Sequence, residues 1–348
     1  MYRVRRSRFS RSATCAILSL ATITGLSAAA HHATAADFYK GKQVRVLIAS
    51  GAGGGYDAYG RAVARHIGDH LPGEPSTIAQ NMDGAGGLVA MNYTYNKAEK
   101  DGTVILATYN SLTLQPLFDS RGTHYDPQKF NWIGSVSSQQ NICVTWHTSP
   151  IHTLDQAGER EVIVASTGAS SDSSTTPKIL NALAGTKFKV ILGYGTSESR
   201  LAVERGEVDG VCGLSWSTLK ASNPEWLADK KINILTQMGL HKHPDLPDVP
   251  LVMDYVKDPS DQQVLTLLLM RSGMGRPFVA PPGVPADRLT MLRDAFMATM
   301  ADKGFLSDAE KMKLEVDPMG PEEMEKLIKS AYASPKPVIE RAGKLIAY

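Results

Sequence analysis

Gln43-Val44-Arg45-Val46-Leu47-Ile48-Ala49-Ser50-Gly51-Ala52-Gly53-Gly54-Gly55-Tyr56-Asp57 starts as an apolar strand, turns through glycine and leads into a helix. Val44, Val46, Leu47, Ile48 and Ala49 make a short buried run of strand length. Three consecutive glycines let the backbone turn its N–H groups outward without interference from Cβ atoms. Asp57 is expected to cap the helix, whose inner face is Tyr59, Ala62, Val63, His66, Ile67 and His70 at helical spacing. A turn of this kind offers unpaired N–H groups and the positive end of a helix dipole, which suits an anion. The nucleotide-binding versions do not fit. Tyr56 stands where the dinucleotide fingerprint needs its third glycine, and no Lys follows Gly55 as a phosphate-cradling loop requires. The competing reading is a tight turn whose glycines only solve a backbone problem.

The same unit recurs along the chain. A strand over Ser76–Asn81 ends in Met82-Asp83-Gly84-Ala85-Gly86-Gly87 and a helix over 88–97, and a strand over 103–108 ends in Tyr109-Asn110-Ser111. A strand over 161–166 leads to Thr167-Gly168-Ala169-Ser170-Ser171-Asp172-Ser173-Ser174, then a helix near 177–183. That loop is again an anion site in form, with hydroxyl donors added to backbone N–H; a flexible serine loop competes with it. A strand over 189–192 follows, then Gly193-Tyr194-Gly195-Thr196, a helix over 197–205, and a turn into a strand ending before Ser215 and Trp216. Strands alternating with helices argue an α/β fold with mainly parallel sheets. Ligands in such sheets sit at the carboxyl ends of strands.

Residues 2–11 hold five arginines and no acid, an apolar run spans 13–26, and Ala33-Thr34-Ala35 follows. A basic stretch, a short apolar core and an A-x-A site describe a secretory signal peptide over 1–35, and hence a periplasmic protein. Arg5-Arg6 hints at twin-arginine export but leaves the route open. Removing that leader changes the charge balance. The whole chain has 37 Lys and Arg against 35 Asp and Glu, so losing five arginines leaves 32 against 35, a net of −3. A nucleic-acid partner loses its electrostatic footprint. The 313 residues that remain suit two domains. Cys143 and Cys212 are the cysteines left; one disulfide or two buried thiols are both open.

No H-E-x-x-H, G-x-S-x-G or C-x-x-C occurs, which shifts weight from catalysis towards binding. His241-Lys242-His243 lies in a proline-rich loop without an evident third ligand, so it reads as solvated rather than metal-binding.

Gly53-Gly54-Gly55-Tyr56-Asp57, Gly84-Ala85-Gly86-Gly87, Asp101-Gly102, Tyr125-Asp126-Pro127 and Ala165-Ser166-Thr167-Gly168 occur in this order. Gly206-Glu207-Val208-Asp209, Leu246-Pro247-Asp248-Val249-Pro250, Ala280-Pro281-Pro282-Gly283 and Pro321-Glu322-Glu323 complete the set. In order and spacing they resemble the Bug family, the periplasmic substrate-binding receptors of tripartite tricarboxylate transporters. The resemblance implies a two-lobed periplasmic binding protein fold of type II, with 36–137 and 272–348 in one lobe, 138–271 in the other, and the ligand cleft between them. It nominates Gly54, Gly55, Tyr56, Asp57, Asn110 and Ser111 from the first lobe, and Gly168, Ala169, Ser170, Ser171, Tyr194, Gly195 and Thr196 from the second. Gly213 stands where many relatives carry Asp. Trp216 is either a floor for an apolar substrate body or a packed core residue.

The function implied is capture of a small carboxylate, a di- or tricarboxylate or an aromatic acid. It would be delivered to the membrane components of the transporter by a monomer that needs no cofactor and no metal. No Arg or Lys lies within 53–57 or 168–174, so N–H groups and helix dipoles are expected to hold the acid. The alternative is an exported α/β hydrolase or lyase using Asp57 or Ser170.

Overall fold

The structure is a computed structural model that describes Met1, residues 37–168 and residues 171–347. The leader expected over 1–35 lies, apart from Met1, outside the described residues, as do Ala169 and Ser170. Among the described residues ten strands form two five-stranded sheets. The first holds β1 (Gln43–Ile48), β2 (Ser76–Asn81), β3 (Val104–Ala107), β4 (Asn131–Ser135) and β10 (Pro277–Ala280), in the order β2-β1-β3-β10-β4. The second holds β5 (Asn141–Trp146), β6 (Val162–Ser166), β7 (Phe188–Leu192), β8 (Gly210–Ser215) and β9 (Ile232–Met238), in the order β7-β6-β8-β5-β9.

The helices are α1 (Gly55–His66), α2 (Leu88–Asn96), α3 (Gln115–Phe118), α4 (Leu154–Glu159), α5 (Asp172–Ala184), α6 (Thr196–Glu204) and α7 (Trp216–Ser222). After them come α8 (Pro224–Ala228), α9 (Pro259–Gly273), α10 (Ala286–Ala301), α11 (Lys303–Lys311), α12 (Pro321–Tyr332) and α13 (Lys336–Ile346). Among the described residues no helix is long and apolar enough to cross a membrane.

The sheets are mixed rather than mainly parallel. β1 pairs parallel with β2 and β3, and β6 with β7 and β8, as strand-helix-strand crossovers require. β10 runs antiparallel between β3 and β4, and β5 antiparallel between β8 and β9. Each of these two strands enters its sheet directly from the other sheet's side of the chain, so no crossover helix sets its direction. Their short entry segments, 136–140 and 274–276, join the two bodies.

Side-chain alternation gives each sheet a core on both faces. Val44, Val46 and Ile48 of β1 pack with α1 and α10 on one face, while Leu47 and Ala49 pack with Met91, Trp132 and Ile328 on the other. In the second sheet Val162 and Val164 point into one cluster, and Ala165 with Ile142 and Val144 into the opposite one. Cys143 and Cys212 are register partners across β5 and β8 and are joined by a disulfide, which answers the question the spacing left open.

The expected division puts 272–348 with the first sheet, and the packing of the last helix bears on that boundary. Val338 and Ala342 of α13 share a core with Leu180, Val264 and Leu268 of the second body, and Leu114 reaches into the same core from the loop after β3. The last helix therefore packs with α5 and α9, not with the first sheet to which 272–348 was assigned.

Candidate functional site

Both sheets reverse strand order next to their first parallel strand, β1 and β6, so a crevice opens at the carboxyl ends of these strands. At the end of β1, Gly53 adopts φ +85°, a left-handed conformation that suits glycine, and Gly54 is the extended N-cap of α1. The first backbone bond of α1 is Ala58 N–H to Gly54 C=O. The N–H groups of Gly55, Tyr56 and Asp57 thus precede the helix's own ladder.

Asp57 is not the N-cap. It sits in the first turn, and its buried carboxylate accepts from Gly53 N–H at 2.9 Å, from Arg61 Nε at 2.9 Å and from Asn81 Nδ2 at 2.8 Å. Asn81 Nδ2 also donates to Ser50 C=O at 2.8 Å, so the carboxylate and the amide brace the glycine turn from within the lobe. The Asp57 side chain thus braces the glycine turn with both carboxylate oxygens engaged. Burial pushes its carboxyl up, but the bonds from Arg61, Gly53 and Asn81 outweigh this and hold it below the ordinary carboxylate range. A carboxyl depressed in the folded state adds stability above its unfolded pKa, and that stability fades as pH falls through the lower folded value. Asp57→Asn is expected to cost about 1–3 kcal/mol at pH 7 and to flatten the acid limb of stability below about pH 4. Urea midpoints from pH 7 to 3 check this; parallel curves for the two proteins would refute it.

At the end of β6 the second rim starts α5 at Asp172, five residues before the expected start, so Pro177 lies inside the helix. Ser171 is the N-cap, and the first backbone bonds run from Ser174 and Thr175 N–H to Ser171 C=O. The hydroxyls here bond to one another. Ser173 Oγ lies 2.8 Å from Ser171 Oγ and 3.1 Å from Ser166 Oγ, and accepts from Thr167 N–H at 3.1 Å. Ser171 Oγ donates to Gly168 C=O at 2.7 Å. Gly168 N–H in turn donates to Ser166 Oγ at 3.4 Å, so both of its backbone groups are used inside the cluster.

Gly195 N–H, nominated as a ligand donor, is taken by Glu198 Oε2 at 2.7 Å. Thr196 opens α6, and Tyr194 packs beside the second-sheet core. A pocket of about 240 Å³ lies against the α5 rim, lined by Thr167, Ser171, Ser173, Arg200, Gly213 and Thr218 among others. Gly213 has φ +69°, and a Cβ there would lie 2.3 Å from Asp172 O, so glycine lets α5 sit directly on β8. Trp216 is not a floor of this pocket. It is 5% exposed, and its Nε1 donates to Asp245 Oδ2 at 3.0 Å.

The two rims meet through the crossing segment. Tyr56, in the first turn of α1, reaches Gln139 Oε1 with its hydroxyl at 3.4 Å and accepts from Asn110 N–H at 3.3 Å. Ser111 follows Asn110 in a short 3-10 turn after β3. Gln139 Nε2 donates to Asn141 Oδ1 at 3.1 Å, and Asn141 Nδ2 donates to Asp172 Oδ2 at 3.1 Å. Arg271 Nη2 closes the relay on Asp172 Oδ1 at 2.6 Å. Gln139 Oε1 also accepts from Arg276 Nη1 at 2.6 Å. Three participants, Gln139, Asn141 and Arg276, escape sequence reading because they lie in or beside the crossing segments, far in sequence from either rim. Arg200, Arg271 and Arg276 also revise the expectation of a site without cationic side chains: the loops hold none, but other elements bring these three to the rims.

Beside the hinge, His243, Asp245 and Glu315 converge with ligand atoms within 4.8 Å of one another, giving His243 the partners its loop lacked in sequence. Lys220 Nζ already stands between the carboxylates, 2.6 Å from Asp245 and 2.7 Å from Glu315. Burial works against its charge, but these two acids outweigh that and raise its pKa. The cluster is an ion pair network joining the two bodies. A separate pocket of about 230 Å³ between Gln115, Phe118, Arg121 and Ile346 lies away from both rims.

Residues 60–344 match the family model described as tripartite tricarboxylate transporter family receptor. A UPF0065 protein of Bordetella bronchiseptica is 25% identical over 285 residues, covering 79% of this chain and 78% of that one. A solute-binding protein from Polaromonas, solved without ligand, superposes with a TM-score of 0.70 at 18% identity, over 88% of this chain and 99% of that one. The R. palustris protein Rpa4515, solved with adipate, gives 0.62 at 17% identity, over 87% and 97%.

Proposed function

We propose, from the premise that this chain belongs to the tripartite tricarboxylate transporter family of receptors, that it captures a small carboxylate in the periplasm and passes it to the membrane components of such a transporter. The observation that carries this reading is the approach of two helix N-termini, α1 and α5, linked through Gln139 and Asn141. Each end presents N–H groups outside its helix ladder, and such ends favour anions. A carboxylate bridging them would draw the bodies together about 136–140 and 274–276, a hinge closure. The structural relative solved with adipate supports a small dicarboxylate.

The reading is of a receptor that returns its ligand unaltered. Asp57, one of the two residues the enzyme alternative would use, has its carboxylate engaged by three donors. Export through the leader over 1–35, action as a monomer, and membrane delivery belong to the same proposal.

Succinate, adipate, citrate and benzoate, added to protein freed of bound molecules by unfolding and refolding, test it by melting temperature. At one hundred times its Kd, a true ligand stabilises by about 2.7 kcal/mol. No shift with any of the four would remove the carboxylate assignment. Product formation in a prolonged incubation, read by mass spectrometry, would turn the receptor into an enzyme.

A further inference from the structure

Arg276 lies in the segment that carries the chain back from the second sheet into β10. It is only 6% exposed, and none of the ion pairs among the described residues involves it. Its guanidinium lies 4.5 Å from the ring centre of Tyr56 and 5.0 Å from that of Tyr59, both on α1. Nη1 donates to Gln139 Oε1 at 2.6 Å and to Gly275 C=O at 2.9 Å. Nε has no hydrogen-bond partner. Nη2 is the atom nearest to where a Cβ on Gly55 would sit, 3.8 Å away. A buried cation without a counter-charge is costly, and here it is aimed at the first residue of a helix whose leading N–H groups are also unpaired. Two positive features share one place: among the described residues Arg276 has no ion-pair partner, and Asp57, the acid in the first turn of α1, is already engaged by Gly53, Arg61 and Asn81.

We propose that Arg276 is the specificity-determining cation of the cleft, pairing with a ligand carboxylate that also accepts from the first-turn N–H groups of α1. This rests on the carboxylate-receptor reading above and sharpens it: a charged side chain, rather than backbone dipoles alone, selects for the acid. The bidentate fork of arginine matches a carboxylate in a way that the point charge of lysine does not. Gln139, held by the same guanidinium, positions the fork.

The test is calorimetric binding of succinate, adipate, citrate and benzoate to the full chain and to Arg276→Gln and Arg276→Lys. The acid that binds wild type most tightly is expected to bind Arg276→Gln at least thirtyfold more weakly, and Arg276→Lys about tenfold more weakly. Should Arg276→Gln fail to fold, as judged by circular dichroism, the lysine variant decides alone. Either folded variant binding within twofold of wild type would overturn the role of Arg276 while leaving the receptor reading intact. A wild-type protein that binds none of the four acids would overturn both.

Discussion

Replacing Gly213 with alanine is expected to lower the unfolding free energy by about 2–5 kcal/mol and to weaken acid binding with it. Two penalties add. At φ +69° an L-residue costs about 1–2 kcal/mol. The added Cβ would lie 2.3 Å from Asp172 O, 2.4 Å from Asp172 C and 2.8 Å from Ser173 N, and such overpacking costs about 1–3 kcal/mol. The atoms it meets are backbone in the first turn of α5, so relief requires moving the helix end that forms one rim. Gly185 is the control: it has φ +72°, but nothing lies within 4 Å of its added Cβ, so Gly185→Ala should show the conformational penalty alone. Urea unfolding of both variants by circular dichroism separates the terms. Equal losses for the two would mean that the close approach of α5 to β8 has no energetic weight.

Removing the disulfide should be as damaging. Cys143 and Cys212 are both fully buried, and their bond closes a loop of sequence separation 69. The chain-entropy account assigns about 4 kcal/mol to a loop of that length. Cys143→Ala with Cys212→Ala, or wild type kept in reductant, is expected to unfold at a much lower urea concentration. The denatured wild type should show no free thiol among these two cysteines without reductant. An unchanged midpoint in reductant would show that the folded state gains nothing from this crosslink.

Much of the architecture was legible from alternation and punctuation. β2 spans Ser76–Asn81, as the flanking turns indicate, and β1 and β6 fall within a residue or so of their expected ends. Strand direction was not legible where it mattered. β5 and β10 are each inserted antiparallel from the opposite body, and no local pattern encodes that. The α11 helix went unread although Asp302 caps it, accepting from Phe305 N–H at 2.8 Å. For the site, the two rims were visible because glycine and serine runs at strand ends are a local signal. The inward roles of Asp57 and Gly195 were not, since a capping residue and a ligand donor look alike until the partner is known. Arg276 lay beyond reach for a different reason: only the return of the chain from the second sheet sets it against α1.

The core beneath the second sheet joins Leu114, Leu180, Val264 and Ala342, and the first sheet stays incomplete without β10 at 277–280. Neither half can therefore close as an early fragment while the polypeptide emerges. Contacts this distant along the chain slow folding and leave apolar surface open meanwhile. The nascent protein must be nearly finished before any part of it is safe from aggregation, so a truncation before α13 should accumulate as inclusion bodies rather than as a soluble single lobe.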